Sequence, residues 1–228
     1  MAAAPLDAGE AIRRGAANLP GYGSSDVFYP ESFAGSWKMT RDVEFPSASS
    51  NANPPPVLRL TYPVRFIRSI EDDAVVADRG YNQAELEAAL ARRGSNSEST
   101  AFAVLSYEWA ANNPNVVKVA LTDGTKKEIK VTKRATERTG DTVSSSEFQR
   151  VTQEDTRSTG GGPEGIPQIS ARRVVSKWKK VDDSTLEGIE IVYAVGGGGD
   201  PLSTSLSGQG SSNAAPTILS KSRLYLVR

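Results

Sequence analysis

Trp37-Lys38-Met39-Thr40-Arg41-Asp42-Val43-Glu44-Phe45 and, after a proline-rich interval, Leu58-Arg59-Leu60-Thr61-Tyr62-Pro63-Val64-Arg65-Phe66 are the stretches that decide the fold class. In both, large apolar side chains alternate with polar ones, and a period of two marks an extended chain with one face buried. Trp37, Met39, Val43 and Phe45 share one side of the first strand, and Leu58, Leu60, Tyr62, Val64 and Phe66 share one side of the second. Pro63 has no N–H to give to a ladder, so the second strand is expected to lie at an edge or to carry a bulge near that point.

Beyond this pair the same pattern returns. A short strand is expected at Ala74–Ala77, and longer ones at Phe102–Trp109, Asn115–Leu121, Lys126–Arg138, Ser144–Gln153, Gln168–Val181, Thr185–Val195 and Thr217–Arg228. Turn residues separate them, and Asp123-Gly124 is the strongest hairpin signal. One segment departs from period two: Asn82-Gln83-Ala84-Glu85 sets an N-cap residue three before a Glu and opens an alanine-rich helix to Arg93, closed by Gly94. About ten strands with short turns and one short helix predict a mainly β fold, an antiparallel meander closed into a β-barrel with long loops. Spacing alone leaves a sandwich as the rival. Residues 1–33, rich in Gly, Pro, Ala and Ser around Tyr22, Phe28, Tyr29 and Phe33, are read as an extended N-terminal arm, and 34–228 as a single β-barrel domain.

The 228 residues hold 27 Lys plus Arg against 27 Asp plus Glu, so net charge offers no argument for nucleic acid or an anionic membrane. Neither cysteine nor histidine occurs, which removes disulfides, thiol nucleophiles, Cys/His zinc sites and every imidazole-dependent triad. Asp78 and Glu108 are the only acid–base candidates, and a non-enzymatic protein without cofactor or metal is expected. No run of 18 or more apolar residues exists, so no span is expected. Arg172-Arg173 and Lys177-Trp178-Lys179-Lys180 form the densest basic stretch, but on a strand these charges split between two faces and cannot follow one phosphate track. The glycine runs at 160–162 and 196–199 lack the Lys-Ser/Thr of a phosphate-binding loop.

Phe33-Ala34-Gly35-Ser36-Trp37 resembles the Gly-x-Trp opening of lipocalin-type (calycin) barrels. That resemblance implies a barrel floor in which Trp37 follows Gly35 and an arginine of the last strand, Arg228 or Arg223, packs over the indole. A resemblance over nearly the whole chain is carried by Phe28-Tyr29-Pro30, Tyr62-Pro63-Val64-Arg65-Phe66, Val76-Ala77-Asp78-Arg79-Gly80-Tyr81-Asn82, Asn113-Pro114-Asn115, Ser146-Glu147-Phe148 and Ser222-Arg223-Leu224-Tyr225. In these blocks and their order the chain is similar to the DUF6816 family of cyanobacteria and chloroplasts. The resemblance implies the chloroplast thylakoid lumen, with the alanine-rich start left after removal of a targeting peptide. It also implies an auxiliary role at the lumenal face of a photosystem or other thylakoid membrane complex in assembly, repair or stabilisation, photosystem II favoured.

Residue phase supplies the site candidates. Arg41 shares the side of Trp37, Met39 and Val43, and Glu190 that of Leu186, Val192 and Ala194, so both are expected to point inward and to pair with each other or with a bound acid. With Tyr62, Phe66 and Trp109 they make the candidate ligand site of the alternative function, a lipocalin-like carrier of a small apolar ligand, pigment or lipid. Tyr22, Phe28 and Tyr29 on the arm, and Asp78 and Arg79 at the barrel mouth, are the candidate partner-binding residues. Deleting residues 1–30 is expected to weaken docking and leave the barrel folded, unless those aromatics staple the arm to its own barrel.

Overall fold

The structure is a computed structural model of the chain and describes residues 25–46, 57–94, 104–155, 167–195 and 216–228. Ten strands form one antiparallel sheet: β1 (Gly35–Glu44), β2 (Val57–Ser69), β3 (Ala74–Ala77), β4 (Val104–Ala110), β5 (Asn113–Leu121), β6 (Thr125–Thr139), β7 (Thr142–Asp155), β8 (Gln168–Lys180), β9 (Thr185–Ala194) and β10 (Ile218–Val227). Their order across the sheet is β3-β2-β1-β10-β9-β8-β7-β6-β5-β4. Neighbours in space are neighbours in sequence except at β1–β10, where the last strand joins the first with Met39 opposite Leu226 and Val43 opposite Ser222.

The expected closure does not occur. β3 and β4 remain the two ends of a sheet curled into a half-barrel, and α1 (Arg79–Gly94), the one α-helix among the described residues, packs on β2, β4 and β5 between them. The fit is close enough to dictate sequence: a Cβ on Gly80 would stand 2.6 Å from the Trp109 Cβ and 2.8 Å from the Tyr107 ring, so only glycine lets the helix approach β4. The other end, β3, is covered by the segment before β1, where the Tyr29 amide donates to the Val75 carbonyl at 2.8 Å.

Helix α1 begins at Arg79, ahead of the start that the alanine-rich pattern indicates. Asp78 is its cap, its Oδ1 accepting from the Tyr81 amide at 3.0 Å, while Gly80 is inside the first turn. Asn82 is used differently. Its side-chain amide accepts from the Arg65 N–H at 2.8 Å and donates to the Arg65 carbonyl at 3.1 Å, locking the helix to β2. Pro63 sits beyond the reach of β3, which pairs only with Phe66–Ser69, so its missing N–H costs no ladder bond.

Of the arm, residues 25–33 are part of the core. Asp26, Val27 and Phe33 are buried, and Tyr29 packs its ring on Phe33 and Phe66 at centroid distances of 5.2 and 4.8 Å. A boundary at residue 33 therefore corresponds to no break in packing. The main apolar cluster gathers Phe33, Trp37, Met39, Leu60, Tyr62, Val64, Phe66, Trp178, Leu186, Leu224 and Leu226 at one end of the half-barrel. A smaller one, Val117, Val119 and Ile129 with Trp109 against it, lies under the helix side.

Candidate functional site: a charged cup in the half-barrel

The Gly-x-Trp stretch forms the closed end. Gly35 adopts φ +109°, a conformation side chains disfavour, and this lets the Ala34 carbonyl turn to accept from Arg228 Nη2 at 2.5 Å. The guanidinium of Arg228 stands 4.2 Å from the Trp37 ring centroid, and the indole N–H donates to the Phe33 carbonyl at 2.7 Å. Arg223 is exposed on the outer face opposite Asp42. Gly188 completes this end, since any Cβ there would meet the Trp178 ring at 2.6 Å.

Above the closed end the concave face encloses a cavity of about 550 Å³, of the size that holds small molecules. Arg41, Tyr62, Phe66 and Glu190 all line it; Trp109 does not, because the bulges in the β4–β5 pairing and the tight helix contact turn its ring into the smaller cluster. Arg41 Nη1 donates to Glu190 Oε1 at 2.9 Å across β1 and β9. Burial works against the Arg41 charge, yet Glu190 and the Tyr62 hydroxyl more than offset it, so its proton is held more firmly than usual. The same burial raises the Tyr62 hydroxyl above its ordinary range. Arg41 Nε is buried with no hydrogen-bond partner among the described residues.

Arg172 enters the same cup from β8, in phase with Val174 and Trp178, while Arg173, Lys177 and Lys179 are exposed on the convex side. Its Nε donates to Gln149 Oε1 at 2.9 Å, and it makes no ion pair among the described residues. Burial pushes this guanidinium below its usual value, with Glu190 opposing and Arg41 adding to the effect.

A second group of charges lies deeper. Arg79 grips Glu147 with two bonds of 2.8 and 3.0 Å and reaches Asp26 at 2.6 Å; Arg134 Nε donates to Glu147 at 2.7 Å and Arg134 Nη1 to the Ser25 carbonyl. The two guanidiniums hold the Glu147 carboxyl well below the usual carboxylate range in spite of its burial, which acts the other way. Burial likewise raises the nearby Tyr29 hydroxyl. Arg134 faces inward only because β6 bulges between Val131 and Lys133, which shifts the alternation by one and sets Arg134 opposite Glu147. Gln149 links the groups, donating to Glu147 Oε2 at 3.1 Å and accepting from Arg172.

The structure places the candidate partner-binding residues within the chain's own packing. Asp78 is buried, capping α1 and bound to Arg65 Nε at 2.7 Å; Arg79 belongs to the buried quartet; Tyr29 is stacked in the core and Phe28 is half-buried. Tyr22 lies outside the described residues. A truncation through residue 30 would remove Asp26 from the quartet and is expected to cost stability. Glu108 is exposed on β4 beside Lys118 at 3.3 Å. Sequence phase could have found Glu147, in step with buried Val143, and Arg172, in step with Trp178. Arg134 gave no such signal, because its phase depends on the bulge.

Among the described residues no group of three or more Asp or Glu side chains converges as a metal site, and no helix is long and apolar enough to cross a membrane. No curated protein and no solved structure matches the chain. The family model described as a domain of unknown function, DUF6816, matches residues 21–228, and the chain belongs to that family.

Proposed function

We propose that this protein is a non-enzymatic, lipocalin-like binding protein of the chloroplast thylakoid lumen whose working part is the half-barrel cup, carrying a small apolar ligand such as a pigment or lipid. The observation that carries the reading is the cavity of about 550 Å³ open on one side, above the core cluster of Trp37 and Trp178, with Met39, Leu60, Tyr62, Val64 and Phe66 among the apolar side chains of a mixed apolar and charged wall. A closed barrel of about eight strands can fill with its own side chains. Here the helix stands where closing strand pairs would be, and space remains. The absence of histidine and cysteine favours binding over catalysis.

A second reading, docking on a photosynthetic membrane complex with photosystem II favoured, during assembly, repair or stabilisation, is supported by apolar side chains exposed on the convex side. Ile169, Ile189, Tyr225 and Val227 are 63%, 56%, 37% and 43% exposed on strands whose alternate residues face the cup. One experiment addresses both: tagged full chain is recovered from solubilised thylakoids, its companion proteins are identified, and pigments and lipids are extracted from the same sample. A stoichiometric small molecule with no companion complex supports the carrier. A photosystem subunit with no small molecule supports docking and overturns the carrier reading.

A further inference from the structure

Among the described residues the charges lining the cup are unequal. Four cationic side chains, Arg41, Arg79, Lys127 and Arg172, face three carboxylates, Glu87, Glu147 and Glu190. Lys127 is matched by Glu87 at 2.7 Å, Arg79 by Glu147, and Arg41 by Glu190. Behind the wall Arg134 and Asp26 add one charge of each sign. Arg172 is the cation left over, with the amide oxygen of Gln149 as its acceptor. A half-buried guanidinium that feels Glu190 only at a distance and has no ion pair of its own gains from an anion that visits it, and guanidinium groups bind carboxylates through two N–H donors at once.

The apolar residues are arranged around that cation. In register, Val43 opposite Leu58 and Val192 opposite Val174 put apolar side chains on the mouth side of Arg41 and Glu190, with Ser220 and Ser222 of β10 between them and Arg172 one step nearer the mouth, opposite Ala194. At the mouth itself Phe45, Leu90 and Leu219 line the cavity and are 48%, 40% and 46% exposed. Exposed apolar side chains gathered at the rim of a cavity that also holds an unmatched guanidinium in its wall describe a complement: an apolar body and one anionic head.

We propose that the cup binds a single-chain amphiphile bearing one carboxylate, its head between Arg172 and Arg41 and its apolar body running past Val43, Leu58 and Leu219 to the mouth. This rests on the carrier reading and sharpens it. An apolar ligand without a charge would leave Arg172 uncompensated, and a dianion would be opposed by Glu190, whose carboxylate already holds Arg41. The head lies against the cavity-facing guanidiniums of Arg172 and Arg41.

The probe is 11-(dansylamino)undecanoic acid titrated into the full chain, with its uncharged methyl ester as the comparison. The acid is expected to bind with enhanced, blue-shifted emission, and more tightly than the ester. Arg172→Gln should weaken the acid at least about tenfold while the ester binds as well as before or better, its uncompensated guanidinium being gone, and the retained ester binding shows that the variant is folded. Glu190→Gln, which removes the competing carboxylate, should strengthen acid binding. Equal binding of acid and ester, with Arg172→Gln neutral toward both, overturns the acidic-head proposal and leaves the apolar carrier standing. Binding of neither overturns the carrier reading as well.

Discussion

Two charged clusters share the concave side of the sheet and are built from the same residue types, yet their situations differ. The quartet of Asp26, Arg79, Arg134 and Glu147 has two charges of each sign, with side chains 1%, 17%, 3% and 7% exposed. The group of Arg41, Glu190 and Arg172 has two cations and one carboxylate, with Arg41 and Glu190 16% and 19% exposed. The four named charges of the quartet balance and three of its side chains are almost inaccessible, so its first work is structural: it fastens the segment before β1, the start of α1, and strands β6 and β7. A cluster with a spare charge and a route to solvent can exchange its counter-ion for a ligand. The distinction is one of stoichiometry and access, both visible only when the strands are assembled.

The largest effect should follow from breaking the sealed cluster. Glu147→Ala leaves two buried guanidiniums with one carboxylate between them, and loss of one partner from a buried charge network costs about 3–5 kcal/mol. Urea unfolding of variant and parent measures it, and a cost below about 1 kcal/mol would show that the quartet is wet and the contrast between clusters false.

Acidification tests the same carboxyl. Its pKa in the folded chain lies well below its unfolded value, so its stabilisation is fully present above the ordinary glutamate range of about 4.3 and is lost as pH falls toward the folded value. In that window the unfolded chain takes up the proton first, and stability declines with falling pH. Glu147→Gln should therefore show a flatter dependence of unfolding free energy on pH than the parent between about pH 5 and pH 2. Parallel curves would mean that another carboxyl dominates.

How much of this was legible depends on whether a feature is local. Alternation along Trp37–Phe45 and Leu58–Phe66 revealed the strands and put Arg41 and Glu190 on the inner side, where the structure pairs them. The start of α1 was misplaced because Asn82 has the chemistry of a cap but spends its amide on Arg65, while the true cap is Asp78. Openness of the sheet could not be read, since nothing in strand spacing says that a helix will occupy the closing position. Nor could the inward turn of Arg134, which a single extra residue in β6 produces. The sealing of Arg79 depended on Asp26, 53 residues away, and no local pattern joins the two.

A smaller change sharpens the comparison by geometry alone. Arg79 holds Glu147 through both Nη atoms and Asp26 through Nη2, a fork that a lysine ammonium cannot reproduce. Arg79→Lys should cost about 1–3 kcal/mol, as expected when a buried acceptor loses its partner. Arg172→Lys, at a site with one hydrogen bond to a neutral amide, should cost less than about 1 kcal/mol. Thermal midpoints of the two variants decide it, and equal losses would mean that Arg172 is as firmly built in as Arg79.

The smallest effect is expected at Glu190. Replacing it by Gln leaves Arg41 and Arg172 facing each other without a carboxylate, which in a sealed site would be severe. In a cup open to solvent the repulsion is screened, and the pair it breaks should be worth about 0.5–1 kcal/mol, near the upper range for accessible ion pairs. Ions in solution can then do what the carboxylate did: raising sodium chloride from low concentration to about 0.5 M should restore most of the lost thermal midpoint in Glu190→Gln. The same salt should restore less in Glu147→Ala, because Arg134 is only 3% exposed and an anion reaching Arg79 from the cup cannot also serve it. Salt rescue of both variants would place both clusters in contact with water, and rescue of neither would close the cup and remove the route by which a ligand reaches Arg172.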